Sequence, residues 1–529
     1  MEQLLVFLSS RRVIAAIVGV GIVLISSLSL AAADGNPADD LAAARQQVYA
    51  IYSSQLQALA EKCVTGKLPM QADFTRNWLP KRDPTMLYIF TLPANSAAPK
   101  SLVESSLAQK WWARFMELRR GEAEELFALA QTALKSKQYA LAFELARETV
   151  RENPDHEAAR RVLGDRKHGD QWVSSEAARR LDVGQVWSDD FGWLPANQLS
   201  HYQNGQRYYR ENWINAAEDA RLHSNIHNGW NVESEHYLVV TNYSLEEGVK
   251  LAKRLEMLYD VWRQVFVQYY AKPAQVEQWF TAAGSATRPS EPSAAEAAAK
   301  ENTAGELSVA STAPMTPHKL HQVVYFHDKQ QYVDALKPAQ AQIEMSIGYY
   351  SDSARSAYFF ASDDAYVGTL YHEGTHQLFR ETPPATVDPG RKNNFWIVEA
   401  IACYMESLTE HRVLGNETYG SYITLGGENA GRIPAARKRL LDDNFYVPLR
   451  ELAACGMSDL QHDSRLPAIY SQISGQAWFL MHADQSRYRG ALMNYLIAIY
   501  TGHAGVDTLE KLTGEKFEQL DHQYREFLK

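Results

Sequence analysis

Residues 371–379, YHEGTHQLF, carry two histidines four positions apart, with a glutamate directly after the first. On a helix, positions i and i+4 lie about 40° apart around the axis and roughly 6 Å apart along it. His372 and His376 can therefore aim two ring nitrogens at one point off the same face. Zinc takes imidazole nitrogens at about 2.0–2.1 Å, and a hydrolytic zinc site keeps three protein ligands and one position for water. Glu373, about 100° round the helix, can flank that metal without ligating it. There it would act as general base toward a water that the metal has acidified. The spacing is the H-E-x-x-H pattern. The other reading is an amphipathic helix with two solvent-facing histidines, and a third ligand decides between them.

Such a ligand stands downstream. In NNFWIVEAIACYMESLTEH (393–411), Glu399 is separated from His376 by 22 residues. The intervening ETPPATVDPGRK ends the first helix and turns the chain. A second helix from about Trp396 can then present Glu399 to the same point. The expected cofactor is Zn2+, held by His372, His376 and Glu399, with Glu373 as the catalytic base. Glu406, one heptad after Glu399, is either a partner behind the ligands or a surface charge. His411 reads as a surface histidine, and Tyr470 as a core or rim tyrosine, a hydrogen-bond donor to the oxyanion being the alternative. The three cysteines are too few and scattered for a disulfide framework, and no C-x-x-C occurs. Cys403 reads as a small core residue. No G-x-S-x-G or P-loop pattern is present, so serine-hydrolase and phosphate-loop chemistry have no footing.

The elements that must position these residues are read outward from the motif. IGYYSDSARSAYFFAS (347–362) reads as strand, turn and strand, and Asp363-Asp364 caps a helix running through His372 to about Arg380. EHYLVVTNYS (235–244) and KLHQVVYFHD (319–328) alternate as strands, and a helix follows each, the first from Leu245 to about Tyr269. Residues 281–318, rich in Ala, Ser, Thr, Pro and Glu, read as a flexible insertion with little apolar surface to bury. From about 39 to 181 the chain reads as helical, with one tetratricopeptide-like repeat over 123–156 marked by Leu129, Ala130, Tyr139, Ala142 and Pro154. Such units bury their apolar faces by stacking. A lone one is therefore expected to prop the main domain, a peptide-binding groove being the alternative.

Hydrophobic residues at 46% and charged residues at 22% describe a globular chain, and its 529 residues suffice for about two to four domains. A net charge of −10, without a basic stripe interleaved with aromatics, argues against nucleic acid as a partner. Arg11-Arg12, the uncharged run Val13 to Leu30 and a small-residue site at Ala31 and Ala33 read as an export segment. It is either a cleaved signal peptide or a retained membrane anchor.

His372-Glu373-x-x-His376 with Trp396-x-x-Glu399-Ala-x-Ala402-x-Tyr404 resembles the gluzincin pattern. More closely, the second half resembles a bacterial family of unknown function that carries a peptidase-MA-like core. The similar stretches are HYLVVTNYSLEEGVKLAKRLEMLYDVWRQVF, VVYFHDKQQYV, GYY (348–350), YHEGTHQLF and FWIVEAIACYME, within about 230–490. EAARRVLGDRKHGDQW (157–172) also looks like that family's helical segment. The resemblance implies a zincin fold with an edge strand lining the cleft. Two departures stand out: Ala400 where gluzincins commonly have glycine, and Cys403 where some place an aspartate that orients a ligand histidine. Orientation then falls to another acceptor, such as a backbone carbonyl or Asn394.

The expected chain is α+β, with an export segment (1–33) and an all-helical domain bearing the repeat (34–185). An irregular Trp-bearing connector (186–229) leads to a zincin-like peptidase domain (230–529). The expected activity is zinc-dependent hydrolysis of a peptide or protein outside the cytoplasm. A non-catalytic scaffold that holds a protein partner is the alternative, and hydrolysis of a non-peptide amide would use the same residues.

Overall fold

The computed structural model describes residues 37–284, 320–362, 367–411 and 421–529. The expected export segment, the Asp363-Asp364 cap and all but the first four residues of the 281–318 insertion lie outside the described residues. Those four correct the insertion boundary: they complete helix Pro273–Gly284, whose Phe280 is buried. Among the described residues, no helix is long and apolar enough to cross a membrane. Helix and strand are mixed throughout, as an α+β chain requires.

The N-terminal part is built on helices Pro37–Thr65, Pro69–Arg76, Ser106–Lys135 and Tyr139–Glu152. The last two form the helix–turn–helix expected over 123–156, and Ala130, Ala133, Ala142 and Ala146 are buried. Small side chains let such helices approach closely. The first of the pair starts at Ser106, well before residue 123, with the Ser105 hydroxyl accepting from Ala108 N at 3.1 Å. This part does not stand alone. Its strand β1 (Met86–Phe90) pairs antiparallel with Tyr422–Gly426 near the other end of the chain. Leu87 and Ile89 thereby join the same apolar core as Ile401, Leu425 and Phe479. Val267, Val276 and Phe280 in turn pack into the helical core with Phe143 and Leu145.

The connector is not irregular. Three hairpin–helix units follow one another: β2 (Asp165–His168) and β3 (Gln171–Ser174) with helix Ser175–Asp182; β4 (Gln185–Ser188) and β5 (Gly192–Pro195) with helix Leu199–Gln203; β6 (Gln206–Tyr209) and β7 (Asn212–Asn215) with helix Ala216–Leu222. Each unit is preceded by a glycine in the left-handed region, at Gly164, Gly184 and Gly205 (φ 91°, 78° and 77°). Each places a tryptophan in its second strand: Trp172, Trp193 and Trp213. The first unit begins inside the stretch expected to be wholly helical. Its strands are only four residues long, too short for alternation to register.

The second half is organised by a five-stranded sheet of β8 (Trp230–Glu233), β9 (Tyr237–Thr241), β10 (His321–Phe326), β11 (Tyr349–Ser351) and β12 (Ser356–Phe360). Its order is β11-β12-β10-β9-β8; β10 is parallel to β9 and β12, and the two edge strands are antiparallel to their neighbours. Tyr237, Val239 and Thr241 alternate inward along β9. Ser244 caps helix Leu245–Val265, accepting from Glu247 N at 3.1 Å. This helix buries Leu255, Leu258 and Trp262 against helix Val367–Glu381. Helix Phe395–Met405 follows, then β13 (Thr409–His411) and β14 (Tyr422–Gly426), and helices to the C-terminus, among them Leu466–Ser486.

Candidate metal centre

Helix Val367–Glu381 buries Leu378 and Phe379, the latter ring lying edge-on to Trp262 and Phe266. Gly374 sits where it meets the Leu245–Val265 helix. A Cβ there would lie 2.5 Å from Leu258 Cδ2, so only glycine fits without displacing that side chain. The opposite face, with His372, Glu373 and His376, lines a cleft of about 610 Å³.

Every residue of helix Phe395–Met405 is buried, Glu399 included. Asn394 fixes its start in the left-handed conformation (φ 60°): its N–H donates to Ala453 O, its Nδ2 to Gly505 O, and its Oδ1 accepts from Tyr495. The side chain is engaged there, so of the acceptors expected to orient a ligand histidine, a backbone carbonyl or Asn394, neither is the partner of His372 Nδ1, which is Glu406.

The three expected ligands come together. His372 Nε2 and His376 Nε2 are 3.2 Å apart, His372 Nε2 lies 3.4 Å from Glu399 Oε2, and His376 Nε2 lies 3.7 Å from Glu399 Oε1. A tetrahedral ion with bonds of about 2.0–2.1 Å separates its ligand atoms by about 3.3–3.4 Å. Two imidazoles and a carboxylate at these separations fit a divalent cation.

His372 is held from behind by Glu406, whose Oε1 is 2.9 Å from His372 Nδ1. Glu406 is buried, not a surface charge, and accepts from Arg432 Nε at 2.8 and 3.0 Å. Burial would lower the His372 pKa, but contacts with Cys403, Glu399 and Glu406 outweigh it and hold the imidazole well above its ordinary value. Burial likewise opposes ionisation of Glu399, yet His376 and His372 keep its carboxyl far below the usual range. The pocket is thus built to hold positive charge.

A second donor group, His372 with Cys403 and Glu406, shares the imidazole. It suits a cation less well. Burial pushes the Cys403 thiol up, away from the thiolate that binds metals, and Arg432 already neutralises Glu406. All three members of the first group line the cleft, whereas Cys403 of the second does not.

Glu373 is turned by the sheet edge: its Oε2 accepts from the backbone N–H of Tyr350 on β11 at 2.9 Å. Tyr470, on helix Leu466–Ser486, lines the cleft with its ring 6.5 Å from that of His372. Burial and the neighbouring Glu399 carboxylate raise its pKa, so the hydroxyl stays a donor. Its position in the cleft wall agrees with the expectation of a core or rim tyrosine. The place of Arg432 was not legible in the sequence, because no local pattern ties it to Glu406. His411 pairs with Thr424 at 2.8 Å and stacks on Tyr422, in the β13–β14 ladder.

No family model matches the chain, and no similar curated protein is found.

Proposed function

We propose that the chain is a zinc-dependent peptidase with a zincin-like second half. The observation that carries this reading is the triangle of His372, His376 and Glu399, with donor atoms 3.2–3.7 Å apart, opening on a cleft that also holds Glu373. These three residues would hold the zinc. When bound, the metal supplies Lewis-acid chemistry, acidifying water and polarising a carbonyl.

The chain's own groups do the rest. Glu373, oriented by the Tyr350 amide, takes the proton of the attacking water and hands it to the leaving nitrogen. The Tyr470 hydroxyl donates to the oxygen on which negative charge develops. The antiparallel edge strand β11 forms one wall of the cleft, which suits an extended polypeptide. The tetratricopeptide-like pair supports the second half rather than forming a groove of its own. Residues 1–33 direct the chain out of the cytoplasm, as a cleaved signal or an anchor.

The test is metal analysis of the purified full chain with cleavage of a peptide library, with and without chelator. About one zinc per chain, and cleavage abolished by chelation and restored by zinc, is the expected result. A chain that takes up no zinc when metal is supplied sinks the reading.

A further inference from the structure

We propose that Arg432 is a positioning residue of the metal centre, acting through Glu406 on His372; this rests on the metallopeptidase reading above. An imidazole that ligates a metal must offer a lone pair on one nitrogen and carry hydrogen on the other. The partner of the second nitrogen decides which is which. In His372 the Nε2 faces His376 and Glu399, and the Nδ1 faces Glu406 at 2.9 Å. Glu406 therefore selects the tautomer whose Nε2 lone pair points into the cleft.

A carboxylate as buried as Glu406 needs a compensating charge. Arg432 supplies it, with Nε within hydrogen-bond distance of both oxygens. The guanidinium has a second effect. Glu406, Cys403 and His372 Nδ1 lie close enough to form a rival donor group. A fixed positive charge on Glu406 disfavours a cation there and leaves the carboxylate as acceptor from His372.

The fold delivers Arg432 from 26 residues beyond Glu406. It follows the turn 427–431 after β14, and this turn is packed on the end of the Glu399 helix. Gly426 N donates to Ser407 Oγ at 2.9 Å, and a Cβ on Gly431 (φ 55°) would lie 2.9 Å from Ser407 N. Cys403 stands at the position where some gluzincins place an aspartate, and the acid beside His372 Nδ1 stands three residues later with its own cation.

A double-mutant cycle in zinc affinity, read by chelator competition on the full chain, tests this. Glu406→Gln and Arg432→Gln are each expected to weaken zinc binding about 10–100-fold. The double variant should bind no more weakly than Glu406→Gln alone, because Arg432 reaches His372 through that carboxylate. Arg432→Lys should recover most of the loss. Arg432→Gln, which leaves the buried Glu406 carboxylate without its cation, should also lower the midpoint of thermal unfolding of the zinc-free chain, and Glu406→Gln should lower it less. Additive losses in the double variant overturn the proposal. So does Arg432→Gln that raises KM with zinc affinity unchanged, which would place the residue on the substrate side. A wild-type chain that binds no zinc is a different failure, that of the metal reading itself.

Discussion

Glu373 and Glu399 both carry a carboxylate to the cleft, and their partners separate their roles. Glu399 lies among imidazole nitrogens, whereas Glu373 is held by a backbone amide of the edge strand. Glu399→Ala leaves two neutral imidazoles, without the third bond or the negative charge. Zinc affinity should fall by orders of magnitude. Glu373→Gln keeps the shape and removes only the proton acceptor. Zinc should stay near one per chain while turnover drops ~10²–10⁴-fold. Elemental analysis beside kcat for both variants checks the pair; zinc retained in Glu399→Ala would reassign the ligand. Tyr470→Phe deletes one hydroxyl from the cleft wall. It should lower kcat by about 10²-fold with KM and zinc content little changed, as loss of an oxyanion donor does.

At the scale of elements, the motif helix depends on how closely it meets its neighbour. Gly374→Ala puts a methyl 2.5 Å from Leu258 Cδ2. Overpacking of this kind costs about 1–3 kcal/mol, so the midpoint of thermal unfolding should drop without any change in the ligands themselves. A different element carries a pH response. Glu122, in helix Ser106–Lys135, is pushed up to about 9 by burial and by Glu152 and Glu148. Between the ordinary 4.5 and that value, the folded chain holds a proton that the unfolded chain has released. Its contribution to stability is therefore complete below pH 4.5 and is lost as pH rises through about 9. Glu122→Gln keeps the neutral group and removes the titration. It should flatten the stability–pH slope by up to about 1.4 kcal/mol per pH unit and leave the variant more stable than wild type at pH 8. Denaturant midpoints at several pH values measure it; a variant less stable at pH 8 would count against a buried neutral acid.

At the scale of the molecule, the two halves share their cores. β1 completes the sheet of β13 and β14, Leu87 and Ile89 are buried in the second half, and Arg147 binds Asp260 across the boundary at 2.8 Å. Burial of one such aliphatic side chain is worth about 1.5–3 kcal/mol. A fragment of residues 230–529 loses both side chains and exposes the β14 edge. It should not unfold cooperatively on its own, whereas the chain from residue 37 should; calorimetry of the two distinguishes them. The helical half is more than a prop, because it supplies a strand to the sheet whose turn brings Arg432 to Glu406.

Some of this was written locally along the chain. An i, i+4 histidine pair on a helix must share a face, so His372, His376 and the adjacent Glu373 were legible from spacing alone. The strands at 235–244, 319–328 and 347–362 were legible too, since alternation records a face that must be buried. Glu399 was readable because a proline-rich turn and an apolar helix leave few ways to bring it back. The three hairpin–helix units were present as glycine and tryptophan recurring every 20 or 21 residues, but four-residue strands carry too little periodicity to announce themselves. What only the tertiary structure decided are the partners that come from far along the chain. Glu406 instead of Asn394 behind His372, Arg432 behind Glu406, Tyr470 in the cleft wall and β1 beside β14 all depend on packing between distant segments. No local pattern encodes such pairings, because each residue there would be equally at home on a surface or in a core until its partner arrives.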